Sequence, residues 1–426
     1  MSRPLLIIIA IIGLALILSV ILFMFGLRPN TNAPVTLEFW GVGQDEVFWR
    51  DTFFRFRAAF PNVTVNYRGF DEKSYEATLI NRLAEGKGPD VFFLKNSWIL
   101  THKDKVFPLP QDFLTFTASD FQNTFTDGVA EELILPDGKI VGLPLAIDTP
   151  ILFYNKDIFN SAGIAALPQT WDDVVRISQK LTKISPAGDV IKSGIALGGF
   201  QNVAHAFEIV SSLLLQAGDQ IVKRDASDVI LGARAIDAFS FYTSFADPGS
   251  KNFSLPRQAE NSLDAFTEEK AAMAIGFAQD IQTIREKNPH ISFGVLPFPQ
   301  QNGALRPAVY QRYFFPTVSR MSHYQGTAWQ FVHFLASQSE ARTFAEKTGR
   351  APVRRDLLAQ TPGVREQEIL HAQSLIARGW TVPDENIAAR LFGDTVNSIL
   401  SKSASPKEAV ARLREQMRLL LPEASR

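Results

Sequence analysis

Residues 138–157 read Gly-Lys-Ile-Val-Gly-Leu-Pro-Leu-Ala-Ile-Asp-Thr-Pro-Ile-Leu-Phe-Tyr-Asn-Lys-Asp. One acidic residue, Asp148, stands here between two apolar runs, 143–147 and 150–154. A carboxylate among apolar neighbours is poorly solvated unless it faces a cleft, because burying an unpaired charge is costly. The segment therefore predicts a strand over residues 149–154 that begins beside a cleft.

Strand and helix patterns alternate on the N-terminal side of this segment. The pattern is typical of a doubly wound α/β sheet, and its last strand is a short apolar run of the buried parallel kind. The predicted elements are strands at 35–40, 63–67 and 90–94 and helices at 47–60 and 75–83.

The same alternation resumes after Asp148 and predicts a second α/β unit. Near the C-terminus, Ser405 followed by Pro406 is a strong start signal for a last helix. The other predicted elements are strands at 149–154, 194–197, 271–275 and 293–297 and helices at 171–181, 206–217, 233–245 and 327–336.

An unbroken apolar run extends from Pro4 to Leu27. About 20 apolar residues span a bilayer as a helix, whereas the core of a secretory signal has about 7–15. Arg3 precedes the run, which favours a cytoplasmic N-terminus. We therefore expect residues 1–28 to be a single-pass anchor in the cell membrane, residues 29–34 a linker, and the body extracytoplasmic. A cleaved signal is the alternative.

The composition narrows the classes of function. The chain has no cysteine, which excludes disulfides, thiol nucleophiles and a lipid anchor on cysteine. The chain has 43 Lys plus Arg and 44 Asp plus Glu, so its net charge is close to zero. It therefore has no long-range positive potential that would attract nucleic acid. We expect small-molecule or protein partners and no nucleic acid.

Motifs for catalysis are not found in the sequence. The six histidines lack the i, i+4 spacing of a helical zinc pair, and no nucleophile elbow, Walker loop or Ser-x-x-Lys motif occurs. Gly41-Val-Gly43 follows a strand, but Glu46 stands where a dinucleotide fingerprint needs its third glycine. We expect no enzyme, no metal and no cofactor, although a carboxylate pair for glycoside cleavage stays open because only its distance in space is diagnostic.

Aromatic and polar residues gather at the ends of predicted strands. Carbohydrate sites combine these types, since flat rings cover the faces of a sugar while amides, carboxylates and arginine bond its hydroxyls. Each ring taken alone can also belong to the core. The candidate ligand-binding residues are Trp40, Gln44, Asn96, Trp98, Asp148, Phe200, Gln201, Asn202, Gly276, Phe277, Tyr310, Gln311 and Arg312.

Several segments, in order along the body, resemble one known family. Residues 138–157 and Leu167-Pro-Gln-Thr-Trp-Asp-Asp173 are similar to family 1 extracellular solute-binding proteins, the maltose-binding-like receptors of ABC importers. The other matching segments are Gly88-Pro-Asp-Val-Phe92, Phe266-Thr-Glu-Glu-Lys-Ala-Ala-Met-Ala-Ile-Gly-Phe277, Ala328-Trp-Gln-Phe-Val-His-Phe-Leu335 and Thr348-Gly-Arg-Ala-Pro352.

The resemblance implies a two-lobed α/β fold of the periplasmic-binding-protein type II, in which each lobe is a sheet flanked by helices. The ligand would lie between the lobes. Lobe 1 would comprise residues 35–147 and 297–338, and lobe 2 residues 148–296 and 339–426.

The chain departs from the family pattern at three places in the body. Phe277 stands where the family usually has Trp, which keeps a stacking face and loses the indole donor. Glu269 replaces the glycine that usually precedes the lysine of that segment, and larger side chains replace a common Gly-Gly around Tyr310 to Arg312.

The expected function is a membrane-tethered receptor that captures a mono- or oligosaccharide, or a similar polyhydroxylated ligand. It would deliver this ligand to the transmembrane permease subunits of an ABC importer. A ligand-sensing domain for a membrane signalling partner and a glycan-processing enzyme are the alternatives. Gene neighbourhood would distinguish the first, and cleavage of an incubated oligosaccharide the second.

Overall fold

The computed structural model describes residues 33–110, 115–218, 220–303 and 306–422. The predicted anchor, residues 1–28, lies outside these ranges and stays a prediction. Within the described ranges, no helix combines the length and the apolar character needed to cross a bilayer.

The strands of the described chain form two larger sheets and several two-stranded pairs. They are β1 (Val35–Val42), β2 (Val63–Phe70), β3 (Val91–Lys95), β4 (Ala146–Ile147), β5 (Ile151–Asn155), β6 (Lys183–Ile184), β7 (Val190–Lys192), β8 (Ile221–Val222), β9 (Val229–Ile230), β10 (Met273–Gly276), β11 (Phe293–Pro297), β12 (Val309–Tyr310), β13 (Phe314–Val318), β14 (Ala351–Pro352) and β15 (Ala377–Arg378).

The helices lie between the strands and dominate the C-terminal part. They are α1 (Glu46–Ala59), α2 (Glu72–Ala84), α3 (Ile99–His102), α4 (Ala118–Thr124), α5 (Asp127–Leu133), α6 (Lys156–Ser161), α7 (Trp171–Leu181), α8 (Ala206–Gln216), α9 (Ala233–Thr243), α10 (Ser262–Thr267), α11 (Asp280–Lys287), α12 (Gln325–Leu335), α13 (Gln338–Thr348), α14 (Arg355–Leu358), α15 (Arg365–Ile376), α16 (Glu385–Leu400) and α17 (Pro406–Arg418), with short 3₁₀ turns at Asn96–Trp98 and Lys103–Lys105.

The first lobe is built on the sheet β13-β3-β1-β2, in which β1 to β3 are parallel and β13 is antiparallel to β3. Helix α1 begins at Asp45, whose side chain caps the first turn, and its buried face contains Trp49 and Phe56. Trp49 packs edge-on against Phe39 of the sheet at 5.5 Å, and Phe56 against Phe331 at 4.8 Å. Aromatic packing of this kind holds a helix on a sheet without disulfides.

The second lobe is built on the antiparallel sheet β10-β5-β11. Residues 194–197, predicted as a strand, are not one in the structure. The reason lies in contacts with residues distant in sequence: the Gly194 N–H donates to Thr182 Oγ1 at 3.1 Å and the Ile195 N–H to Ser254 Oγ at 3.0 Å. Side-chain acceptors thus take two of the four amides, and among the described residues only the Ala196 N–H donates to the neighbouring strand, at 2.9 Å to the Met273 carbonyl.

Short strand pairs join the two lobes. The chain passes from the first sheet to the second through β4, which pairs with β14, and returns through β12, which pairs with β15. Asp148 and Arg312 lie just beyond these pairs and exchange two backbone hydrogen bonds of 2.9 and 3.0 Å. We call residues 309–313 the crossing ribbon.

Helix α13 packs on the first lobe. Glu340 is buried there, accepting a hydrogen bond of 2.8 Å from Thr52 Oγ1 and pairing with Arg55 at 2.6 Å. Phe344 stacks on Trp49 at 5.6 Å. These contacts place α13 with the first lobe rather than the second, where the predicted boundary after residue 338 puts it. The other lobe bounds stay a prediction.

Candidate functional site

Asp148 is the most unusual charged group where the lobes meet. Its side chain is only 3% exposed, and neither carboxylate oxygen has a hydrogen-bond partner among the described residues. The Arg312 and Arg350 guanidinium groups approach to 3.8 and 4.0 Å, which is beyond hydrogen-bond distance. Burial raises the pKa of Asp148, although the two arginines and, more weakly, the nearby Ala278 N–H lower it. The site therefore holds a carboxylate with acceptor capacity left over.

Arg312 connects Asp148 to Phe277. Its guanidinium carbon lies 3.8 Å from the centre of the Phe277 ring, and its Nη1 lies 3.4 Å from Glu208 Oε1. Burial lowers the pKa of Arg312, but Asp148 and Glu208 outweigh this and raise it. The structure thus brings Asp148, Phe277 and Arg312 together, with the cation covering one face of the aromatic ring.

A second carboxylate fixes the other side of Phe277. Asp280 Oδ2 accepts from the Phe277 N–H at 2.7 Å and lies 2.9 Å from His205 Nε2. The His205 ring meets the Phe277 ring edge-on at 4.6 Å. Gly276 allows this approach, because a Cβ there would stand 2.8 Å from Asp280 Oδ2. Burial raises the pKa of Asp280, but the His205 hydrogen bond and charge bring it below its usual value.

The lobes are in direct polar contact beside this cluster. Lys95, at the end of β3, places Nζ 2.9 Å from Glu385 Oε1 and 3.4 Å from Glu72 Oε1. Trp98 Nε1 donates to Glu385 Oε2 at 3.2 Å. Glu385 opens helix α16, which packs on the second lobe through Phe392. Lys95, Trp98 and Glu385 therefore join the two lobes in this structure.

Removing the Lys95 charge should open the lobes. A partly buried ion pair of this kind contributes about 1 kcal/mol, so Lys95→Gln should shift the closed-to-open ratio about fivefold toward open. Because the chain has no cysteine, labels on cysteines introduced in place of Arg57 and Asp237 can report the lobe distance by fluorescence energy transfer. Lys87→Gln, an exposed lysine of the first lobe, is the control. Equal energy-transfer efficiency in Lys95→Gln and Lys87→Gln would show that the Lys95–Glu385 ion pair does not hold the lobes together.

The other predicted aromatic residues of the first lobe are packed in it. Trp40 is 6% exposed and lies against Phe70 at 4.7 Å, with the Arg68 guanidinium 5.6 Å above its ring. Trp98 is equally buried and packs edge-on against Phe314 at 5.6 Å. Trp40 and Trp98 both lie at the carboxyl end of the parallel strands, where the first lobe meets the second. The distance between the lobes therefore determines how much of each ring a ligand can contact.

Four predicted residues lie apart from the Asp148 cluster in their described contacts. Gln44 is half-buried, and its backbone oxygen accepts from the Tyr67 hydroxyl at 2.8 Å. Gln201 is exposed, and Phe200 is half-buried beside Gly393. Asn202 connects two loops, because its side-chain amide donates a hydrogen bond to the Pro256 carbonyl at 3.0 Å. Their assignment to a ligand site stays a prediction.

Asn96 and Gln311 meet at a different acid, Glu132. Asn96 Nδ2, Gln311 Nε2 and the Tyr313 hydroxyl all donate to its carboxylate, at 3.1, 2.6 and 2.9 Å. Burial raises the pKa of Glu132 to about 7, against the lowering effect of these three donors. Asn96 and Gln311 therefore serve first as supports of a half-buried acid.

The crossing ribbon has two faces, because successive side chains of an extended chain point to opposite sides. Arg312 faces Asp148 and Glu208, whereas Gln311 and Tyr313 face Glu132. Tyr310 is buried with its ring edge-on to Phe207 at 6.1 Å. A cavity of about 480 Å³ lies on the Glu132 side. The cavity and the Asp148 cluster are thus separate places between the same two lobes.

Sequence reasoning missed several charged residues of the cluster. Lys95 precedes Asn96 at a predicted strand end, so the same strand-end rule could have found it. Glu208 lies in the first turn of α8, close behind the predicted segment 200–202. Glu385 and Arg350 carry no such signal, because only the fold brings them to residues far away in the chain.

Two α/β lobes joined by paired crossing strands, with buried charged and aromatic groups where they meet, define a two-lobed binding protein. The chain belongs to the bacterial extracellular solute-binding protein family, whose profile matches residues 42–342. Its fold is that of the type II periplasmic binding proteins.

Individual relatives agree with this family. The chain is 25% identical over 348 residues to the galactooligosaccharide-binding protein of Bacillus subtilis (strain 168), covering 78% of this chain and 76% of that protein. A solved cyclo/maltodextrin-binding protein complexed with maltotetraose superposes with a TM-score of 0.75 at 18% identity, covering 92% and 98% of the two chains. The sugar-binding protein MalE from Xanthomonas citri gives 0.73 at 19% identity, covering 90% and 97%.

Proposed function

We propose that this protein is an extracytoplasmic receptor that captures a carbohydrate between its two lobes and passes it to an ABC importer. The ligand lies on the Asp148 side of the crossing ribbon. Asp148 accepts hydrogen bonds from ligand hydroxyls, Arg312 packs against the ligand while the fully buried Phe277 ring holds its guanidinium in place, and Lys95 with Glu385 closes the lobes over it. Closure follows from binding, because contacts from both lobes exist only in the closed form.

The observation that carries the proposal is the unpartnered, buried carboxylate of Asp148. Buried polar groups in native proteins are nearly always hydrogen-bonded, and the exceptions often mark sites that await a partner. Neutral hydroxyls suit this carboxylate, since they donate without adding charge to a cluster that already contains Arg312 and Arg350.

The relatives support the ligand class. The names of the Bacillus subtilis relative and of the two solved structures describe binding of galactooligosaccharides, maltodextrins and sugars. The resemblance of residues 138–157 and of the segment ending at Phe277 to sugar receptors of ABC importers points the same way. A mono- or oligosaccharide is therefore the proposed ligand, and the transmembrane permease subunits are the proposed partner.

The membrane attachment is part of this proposal. The apolar run from Pro4 to Leu27 has the length of a bilayer span, and a cysteine anchor is ruled out by composition. We expect residues 1–28 to tether the receptor to the cell membrane, with the linker at 29–34 placing the body outside.

Calorimetric titration of the full chain in lipid nanodiscs with a panel of neutral mono- and oligosaccharides tests the proposal. At least one sugar should bind with a Kd of about 1 μM or tighter, equivalent to about −8 kcal/mol. Mass spectrometry should recover that sugar intact after incubation. No binding across the panel would contradict the ligand class, and cleaved product would contradict a receptor without catalytic activity.

A further inference from the structure

The cavity behind the crossing ribbon has no role in the proposed carbohydrate site. It measures about 480 Å³, within the range of small-molecule pockets. Glu132, beneath Asn96 and Gln311, forms its floor on the ribbon side. We infer that this cavity is a second binding site, which takes a small organic anion with an apolar body.

The walls of the cavity come from both lobes. Ile99 and Ile134 line it from the first lobe, and Leu215, Val222 and Trp380 from the second. The Trp380 ring is held firmly, because it stacks on Phe392 at an interplanar angle of 5° and donates from Nε1 to Ser211 Oγ at 3.2 Å. Apolar walls around a fixed aromatic ring favour an apolar ligand body.

The charged residues that line the cavity indicate which charge the polar group of a ligand should carry. Lys103 of the first lobe and Arg224 of the second both line it, and neither has a carboxylate within 4.0 Å among the described residues. Three acids also line the cavity, and each already has a donor: Glu131 pairs with Arg378, Glu132 accepts from Asn96, Gln311 and Tyr313, and Asp225 accepts from the Ser227 N–H. The third cation, Arg378, is already paired with Asp127 and Glu131. An anion placed between Lys103 and Arg224 would supply the counter-ion that both cations lack.

Occupancy of this site should affect lobe closure. In this structure Arg224 donates to the Ile134 carbonyl across the lobes at the wall of the cavity. Ile99 belongs to the first lobe and Trp380 to the second. A ligand that contacts both therefore binds more tightly when the lobes are in the present arrangement than when they have moved apart. By linkage, it should then raise the affinity of the carbohydrate on the other face of the ribbon.

Hexanoate is a suitable probe because 1-hexanol has the same apolar body without the charge. Titration of the full chain in nanodiscs, with empty nanodiscs subtracted, should show hexanoate binding at least tenfold tighter than 1-hexanol. Lys103→Gln should weaken hexanoate at least fivefold, and Leu215→Trp, which fills the cavity, should abolish it. Lys251→Gln, an exposed lysine outside the cavity, should have no effect.

Several outcomes would overturn the inference. They are no hexanoate binding, equal binding of hexanoate and 1-hexanol, or hexanoate affinity that is unchanged in both Lys103→Gln and Leu215→Trp. The measurement needs no carbohydrate, so its failure is distinct from failure of the proposed receptor function. A circular dichroism spectrum and a cooperative thermal unfolding transition like those of the unmodified protein show that Leu215→Trp is folded.

Discussion

Asp148→Asn should bind the carbohydrate at least tenfold more weakly than the unmodified protein while unfolding at a higher temperature. A hydrogen bond to a charged acceptor contributes about 1.5–3 kcal/mol, and the amide has neither the charge nor the second acceptor oxygen. The loss corresponds to roughly 10- to 150-fold in Kd.

The stability gain follows from the direction of the Asp148 pKa. Because burial raises this pKa in the folded state, the folded protein binds the proton more tightly than the unfolded chain. Stability therefore falls as the pH rises from the unfolded pKa through the folded one, and the neutral amide avoids this loss. Thermal unfolding at pH 7.5 without ligand should show the difference.

Asp157→Asn is the matched control, since Asp157 is exposed on helix α6. It should change neither the carbohydrate affinity nor the unfolding temperature. Undiminished carbohydrate binding by a folded Asp148→Asn protein would remove Asp148 from the ligand site.

Glu132→Gln should stabilise the protein strongly at alkaline pH and little at acidic pH. The folded pKa of Glu132 is about 7 against 4.5 for the free side chain, so the folded state binds more protons between these values. The contribution of Glu132 therefore falls as the pH rises through this window, by about 3 kcal/mol in total. The amide group that Glu132→Gln introduces can be accommodated, because Gln311 Oε1 is buried beside it without a partner among the described residues.

Denaturant unfolding of the full chain at pH 5 and pH 8, followed by tryptophan fluorescence, measures this effect. The difference in unfolding free energy between Glu132→Gln and the unmodified protein should be about 2.5 kcal/mol larger at pH 8 than at pH 5. Glu131→Gln, at a neighbouring side chain that is 57% exposed, should show no such pH dependence. A pH-independent difference for Glu132→Gln would mean that Glu132 is already ionised below pH 5.

The sequence predicted elements well where local signals agree. The helix predicted at 171–181 is confirmed at the same residues, because the capping box of Thr170 and Asp173 and the apolar spacing select the same bounds. The helix after Ser405 is confirmed for the same reason. Residues 194–197 have strand composition, but Thr182 and Ser254, distant in sequence, bind their amides.

The site was predictable only in part. Asp148 stood out because an acid between two apolar runs is anomalous in any fold. The roles of Asn96 and Gln311 were not readable, since their partner Glu132 lies on a helix whose sequence shows only two adjacent acids. The cover of Phe277 by Arg312 depends on the register of the crossing ribbon against Asp148, which no local pattern fixes.

A crystal structure of the protein with the carbohydrate identified by titration would show directly whether the ligand binds at Asp148 between the lobes. We expect ligand density between the lobes, with a hydroxyl about 3 Å from the Asp148 carboxylate and contact to Phe277 or Arg312. Density only in the cavity beside Trp380 or outside the lobes, with both Asp148 oxygens still unpartnered, would contradict it.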